Sequence, residues 1–281
     1  MEAILRFSVL SSGSSGNATY LESGGHGLLL DAGLSCRRLR GLLARIGRDL
    51  DDVRAVLLTH GHADHTSGVR SLLREREMPL YAAPGVAEGI AGAVSVEVGE
   101  PLDLGGGVCA SFFEVPHDAP TYGLRISEGG LTTALATDLG EVDLETLRFL
   151  RGAEAVVLEA NHEPDWLWGG TYSADLKRRV SSSRGHLSNQ QAADAALALA
   201  PHGLKDLVLA HLSEKNNSPV RACGTVRRAL KEAGHDGIRV KAALARHPTP
   251  WIEVGQPVEE REYLYRYGGR DAAASRLFEV E

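Results

Sequence analysis

His60, His62, Asp64 and His65 crowd into six residues of the string THGHADHTSG, directly after the apolar run AVLLT. An extended segment turns side chains two apart to the same side, so His60 and His62 can reach one metal ion. Asp64 and His65 fall where the chain turns and can face a second ion beside the first. Imidazole nitrogen together with carboxylate oxygen suits zinc, manganese or iron. The plain alternative is a polar loop of solvated histidines. Four ligand-type side chains directly after a buried strand argue for the metal.

The elements that must position such a cluster are legible around it. GLLLDAG (27–33), VRAVLLTH (53–60), LTTALATD (131–138), AEAVVLEA (153–160) and KDLVLAHL (205–212) read as buried strands, several ending in a polar residue. Leu39, Leu42, Leu43 and Ile46 share one helical face, as do Val69, Leu72 and Leu73. Ser188 with Gln191 resembles a capping box, and Ser218-Pro219 is a helix start. Strands alternating with helices imply an α/β chain whose helices cover sheet faces.

Composition narrows the class. The 281 residues, 43% hydrophobic and 24% charged, suit one large domain or a domain with a short appendage. The tail from Gly255 reads as that appendage, which gives a catalytic domain over 1–254 and an extension over 255–281 with no assigned chemistry. No apolar run approaches the roughly 18–20 residues of a membrane span, and MEAILRFSVL is a poor secretion signal. Three cysteines, an odd number set far apart, argue against a disulfide framework and a thiolate zinc site and suit a reducing cytoplasm. With a net charge of -7, any site for a polyanion must be a local basic patch. Oligomeric state stays open, a homo-oligomer included.

His-x-His-x-Asp-His after a strand resembles the metallo-β-lactamase superfamily, whose fold is an αβ/βα four-layer sandwich with a metal centre at the shared edge of two sheets. The resemblance covers roughly residues 5–250. It implies that Asp31 of LLLDAG braces the metal loop. It implies that His117 of VPHDAPTYG joins His60 and His62 on one ion, and that His211 of VLAHLSEKNNSP joins Asp64 and His65 on the other. Asp138 of LATDLG would bridge the two. True class B β-lactamases use a cysteine-containing pattern in this region, and none of Cys36, Cys109 and Cys223 sits in one. Two divalent ions, manganese or zinc, would supply a nucleophile at neutral pH and offset transition-state charge on a thioester, a lactone or a phosphodiester.

LEANHEPD and SSSRGHLSNQQAADAA narrow that choice. Phosphodiesterases of the superfamily, including the tRNA 3′-processing nucleases, carry a similar Glu-Ala segment and a Gly-His element before a helix. By that resemblance His186 is a catalytic acid protonating the leaving alkoxide, charged by Glu159, with Asp64 the third catalytic candidate. LSSGSSGN, THGHADHTSG, NHE, RGHLSN and HLSEKNNSP together are similar to the bacterial YycJ (WalJ/VicX) subgroup, which implies a DNA exonuclease of 5′-to-3′ polarity linked to mismatch repair. The insertion of β-CASP nucleases is absent.

DNA would be the partner, met by Lys177, Arg178, Arg179 and Arg184 on the approach to His186. Arg37, Arg38, Arg40 and Arg45 read as a solvated helix face. Trp166 and Trp168 read as packing or lid residues, with stacking on a terminal base as the lesser alternative. LSSGSSGN is an internal turn whose Ser12, Ser14, Ser15 and Asn17 are candidate donors to a substrate phosphate. A small-molecule hydrolase of the same fold, acting on a thioester, lactone or cyclic phosphate, is the competing expectation.

Overall fold

A computed structural model describes residues 5–23 and 25–256; the appendage expected from Gly255 lies outside the described residues from 257 onward. Elements are numbered in chain order. Among the described residues the chain forms two seven-stranded mixed sheets. The first consists of β1 (Arg6–Ser11), β2 (Ala18–Ser23), β3 (His26–Leu30), β4 (Val53–Leu58), β5 (Leu80–Ala82), β6 (Ala93–Ser95) and, on the far side of β1, β14 (Ile252–Glu253). The second runs in the order β13 (Arg239–Ala242), β12 (Asp206–Ala210), β11 (Ala155–Glu159), β10 (Leu131–Ala136), β9 (Tyr122–Glu128), β8 (Cys109–Glu114) and β7 (Leu102–Asp103). Helices α1 (Cys36–Arg45), α2 (Ala63–Thr66), α3 (Val69–Glu75), α4 (Pro84–Ala87), α5 (Leu144–Leu150), α6 (Pro164–Gly169), α7 (Ala174–Val180), α8 (Asn189–Leu199) and α9 (Pro219–Glu232) connect the strands.

The second sheet shows why its strands read as continuous apolar runs. Side chains alternate across a strand, and here both faces are covered. Ala155 and Val157 of β11 and Val208 and Ala210 of β12 join the cluster that also holds Phe7, Leu21 and Leu30 of the first sheet. Val156, Leu158, Leu207 and Leu209 point the other way, against Ala192 and Ala196 of α8 and Val226 and Leu230 of α9. Alanines on α8 keep that helix close to the sheet. The first sheet is equally dry, with Leu39 and Leu43 of α1 and Leu72 of α3 completing its cluster. The result is the expected α/β sandwich of two facing sheets.

Helix ends follow the sequence signals. Ser188 caps α8 in a capping box with Gln191, and Ser218 caps α9, which opens on Pro219. The strands β3–β4 and β10–β11–β12 are parallel pairs, so their C-terminal ends open on one edge. The sheets meet there: Tyr122 N donates to Thr59 O at 3.0 Å, and His60 bridges to Thr121. Ligands of open α/β sheets collect at such strand ends.

Candidate metal centre

The candidate ligands sit at strand ends on this edge or on the short helix that follows β4. Asp31 follows β3, His60 lies two residues past β4, Asp138 two past β10, and His211 directly follows β12. Glu159 is the last residue of β11, His117 lies three past β8, and His186 enters α8. His62 is the N-cap of the short α2, which presents Asp64 and His65 from its first turn. Among the described residues the three non-glycine positions with positive φ are Asp31 (61°), Asp138 (59°) and His211 (53°). A left-handed backbone costs a non-glycine residue about 1–2 kcal/mol, and all three such positions fall in this cluster.

Donor atoms converge in overlapping groups. His60, His62 and His117 form one, and Asp64, His65 and His211 another, each with ligand atoms within 4.8 Å of one another. Asp138 falls in a group with His60 and His65 and in another with His186 and His211. Its Oδ2 lies 3.1 Å from His65 Nε2, and its Oδ1 lies 3.1 Å from His211 Nδ1. The structure therefore brings together all seven residues expected to hold metal.

The braces are equally specific. Asp31 Oδ1 accepts from Thr59 N at 2.9 Å, while Oδ2 lies 2.7 Å from His65 Nδ1. That contact places the His65 proton on Nδ1 and turns Nε2 toward the cluster. Glu159, fully buried, accepts from Leu139 N at 2.9 Å and sets Oε1 2.7 Å from His186 Nδ1 and 3.2 Å from His211 Nδ1. The dyad inferred from resemblance is thus in contact, with His186 Nε2 left for a second partner.

Buried donors of this set lack partners. His60 Nε2, His211 Nε2 and Asp138 Oδ2 make no hydrogen bond although each is out of water. Asp138 Oδ2 and His65 Nε2 approach closely without hydrogen-bond geometry. Buried polar atoms are rarely left so, and nitrogen and carboxylate oxygen aimed at one another are the donor set of divalent zinc, manganese or iron. The residues fit divalent metal.

Charge supports the same fit. Burial holds the His60 pKa down to about 3, so its imidazole is neutral. Burial also opposes the imidazolium of His65, but the Asp31 and Asp138 carboxylates outweigh it and raise the pKa to about 10. His211 is likewise raised well above its ordinary value, with burial overcome by Asp138, Asp64 and Glu159. Burial opposes the charge of Asp138 too, but His211 and His65 hold its carboxyl far below the usual range. A carboxylate-rich, water-poor cluster that draws protons onto its histidines favours cations, and metal binding at such ligands releases protons. His186 is raised by Glu159 against the opposing effect of burial.

Other expectations meet different surroundings. Ser12 and Asn17 are buried and engaged with the metal loops: Ser12 Oγ accepts from His211 N at 2.7 Å. Asn17 Nδ2 lies 2.8 Å from His65 Nε2 and 3.3 Å from Asp64 Oδ2. Ser14 and Ser15 are exposed. Arg184 Nε donates to His117 O at 2.8 Å, Lys177 Nζ donates to Trp168 O at 2.8 Å, and Arg178 pairs with Asp175. Trp166 and Trp168 are not packing residues; both stand exposed, because α6 turns only Leu167 inward.

Sequence reasoning missed Asp118, whose Oδ1 lies 3.2 Å from His117 Nε2 and 3.6 Å from His62 Nε2. Its place beside His117 in PHDAP was the available signal. Thr59, which joins Asp31 to His60 and His65 through its hydroxyl, was passed over because a threonine ending a strand is common. His162, buried with Nδ1 unpartnered and its pKa lowered to about 4 by burial, was missed as well.

Two facing mixed sheets with this cluster on their shared edge define a metallo-β-lactamase-fold protein, and residues 26–212 match the family described as Beta-lactamase superfamily domain. The solved metallo-beta-lactamase fold protein YhfI from Bacillus subtilis superposes with a TM-score of 0.66 at 19% identity, over 88% of this chain and 99% of that one. The chain is 35% identical to exodeoxyribonuclease WalJ of Streptococcus pneumoniae serotype 2 (strain D39 / NCTC 7466) over 240 residues, 81% of this chain and 89% of that protein. It is 34% identical to exodeoxyribonuclease YycJ of Bacillus anthracis, over 82% and 90% of the two chains. The chain belongs to the β-lactamase superfamily and, within it, to the family of WalJ and YycJ. Among the described residues no helix is long and apolar enough to cross a membrane.

Proposed function

We propose that this chain is a metal-dependent exodeoxyribonuclease that removes nucleotides from 5′ ends in the cytoplasm, in DNA repair such as mismatch repair. It would act from a catalytic domain over 1–254. The family relation supports the nuclease reading, and the observation that carries the chemistry is the 2.7 Å contact of His186 Nδ1 with Glu159 Oε1 beside the ligand cluster. His60, His62 and His117 would hold one ion and Asp64, His65 and His211 the other, with Asp138 shared; we propose manganese or zinc. Bound there, the ions supply Lewis acidity toward a phosphoryl oxygen and lower the pKa of the attacking water.

The chain's own residues do the rest. Glu159 favours the protonated form of His186 and fixes its ring, so that Nε2 can give a proton to the departing deoxyribose oxygen, which leaves poorly as an alkoxide. Asp64, its side chain 24% exposed against 3% for Asp138, is the carboxylate open to the attacking water and can accept its proton. A small thioester would need no such acid, because a thiolate leaves unaided. Ser14 and Ser15 stand in solvent on the turn between β1 and β2, where their hydroxyls can donate to a phosphate of the DNA. Ser12 and Asn17 serve that contact by holding the turn against His211 and His65.

End-labelled duplex and single-stranded DNA, RNA and a thioester, offered with manganese or zinc, test this reading. Release of nucleotides from 5′ ends, abolished in His62→Ala, is the expected result. Turnover of thioester or lactone with none of any nucleic acid would overturn it.

A further inference from the structure

We propose that the exposed face of α6, α7 and the start of α9 is a stacking track for unpaired nucleotides of the DNA strand whose end enters the metal centre. This deepens the nuclease reading above and rests on it. Trp168 is 53% exposed and Trp166 38%, and Val220, next in sequence to the Arg221 that covers Trp166, is 58% exposed. Exposed aromatic surface rimmed by polar groups marks an interaction site. Cations lie against two of the rings, and a third holds the backbone of Trp168. The Arg221 guanidinium lies 4.5 Å from the centroid of Trp166, Lys215 Nζ lies 5.6 Å from that of Tyr172, and Lys177 reaches the carbonyl of Trp168. Aromatic planes interleaved with Lys and Arg are what single-stranded nucleic acid selects, since every base has a face to stack and every nucleotide a phosphate.

The placement of this face carries the proposal further. Residues 160–185 form the whole excursion between Glu159 and His186, so both of its ends are anchored at the dyad. Near its start, Glu163 N donates to Asn216 O at 2.8 Å, and Asn161 Nδ2 donates to His211 O at 2.9 Å. At its far end, Arg184 holds the His117 carbonyl, and Arg179 Nε lies 3.6 Å from Asp118. The face is thereby suspended between the loop that carries His211 and the loop that carries His117. Residues 160–185 and 211–221 together bring six Lys and Arg against four Asp and Glu, in a chain of net charge -7. The core of a protein interface is depleted of charge, whereas here Arg221 and Lys215 lie against the rings themselves.

The test is the double variant Trp166→Ala/Trp168→Ala, assayed on single-stranded oligothymidylate. We expect KM to rise about 5- to 100-fold with kcat held. Phosphorothioate-linked oligothymidylate should quench tryptophan fluorescence in the parent. In the double variant it should not, because the remaining Trp251 packs against Tyr20 and Arg6. Because both rings stand in solvent, thermal unfolding should stay within about 2 °C of the parent. Trp168→Phe should keep most of the affinity and Trp168→Leu should lose it. An unchanged KM in a double variant that still degrades DNA would overturn the track and leave the nuclease reading standing. Equal recovery by Phe and Leu would also overturn it, since stacking would then not be the interaction. A parent that neither degrades DNA nor is quenched by it would overturn the nuclease reading, and the track with it.

Discussion

The two sheets build their halves of the proposed metal centre by opposite means. The first delivers His60, His62, Asp64 and His65 from one contiguous segment and holds it with a compact set of braces: Asp31, Thr59 and Asn17. The second delivers His117, Asp138, Glu159, His186 and His211 one at a time, from ends that only the sheet brings together. In the first half a turn of backbone sets geometry. In the second, geometry depends on the register of β10, β11 and β12 and on two strained φ values, at Asp138 and His211. A dispersed half has fewer ways to compensate a loss, so its variants should be the more damaging.

The largest expected effect follows from removing what joins the halves. Asp138→Ala should empty the centre of metal and reduce DNA turnover to background, as read by elemental analysis of the purified protein alongside the nuclease assay. Retention of both ions would show that the halves hold metal independently. Next, His186→Ala should keep its metal and lose about 10²–10⁴ in kcat; if metal is lost instead, His186 is a ligand and the dispersed half is larger than described.

Asp31→Asn tests the contiguous half, where a brace fails and the ligands remain. Metal affinity should weaken about 10- to 100-fold, with turnover recovered by excess metal. The smallest effect is a titration. His65 and His211 have pKa values raised by their carboxylate partners, so the metal-free protein carries those protons at neutral pH. Metal must displace them, and apparent affinity should rise with pH up to about 10, where His65 gives up its proton unaided. For the same reason, the stability that these imidazolium pairs lend the metal-free protein is present below the unfolded histidine pKa of about 6.5. It is lost as pH rises through those raised values. Calorimetry of metal binding in buffers of different ionisation enthalpy reads the protons released, and a pH-independent affinity would contradict the charge assignment.

How much was legible in the sequence follows the same division. THGHADHTSG announces its chemistry because ligands two apart on an extended segment need no tertiary partner to share a side. Asp138, His117 and His211 could be named only through resemblance. Nothing in LATDLG or VLAHLS states that Asp138 and His211 meet across the intervening β11. Asp118 and Thr59 escaped because a carboxylate next to a histidine and a threonine at a strand end are ordinary in sequence and specific only in space. Trp166 and Trp168 were read as packing because tryptophan usually buries its area. The shortness of α6, with Leu167 alone turned inward, put them in solvent.

The sequence by itself determined the elements and their order: apolar runs long enough for buried strands, capped helices between them, and a local ligand motif after β4. These are short-range properties, set by period, capping and neighbouring residues. Tertiary structure decided what requires two sheets to face one another. It set Glu159 against His186, aimed the bare nitrogens of His60 and His211 at a common centre, and held Asp31, Asp138 and His211 in left-handed backbone. Close approach shows the reason in one place. A side chain on Gly33 would lie 1.6 Å from the Asp64 carbonyl, so the loop after β3 can brace the metal motif only where nothing but hydrogen stands between them.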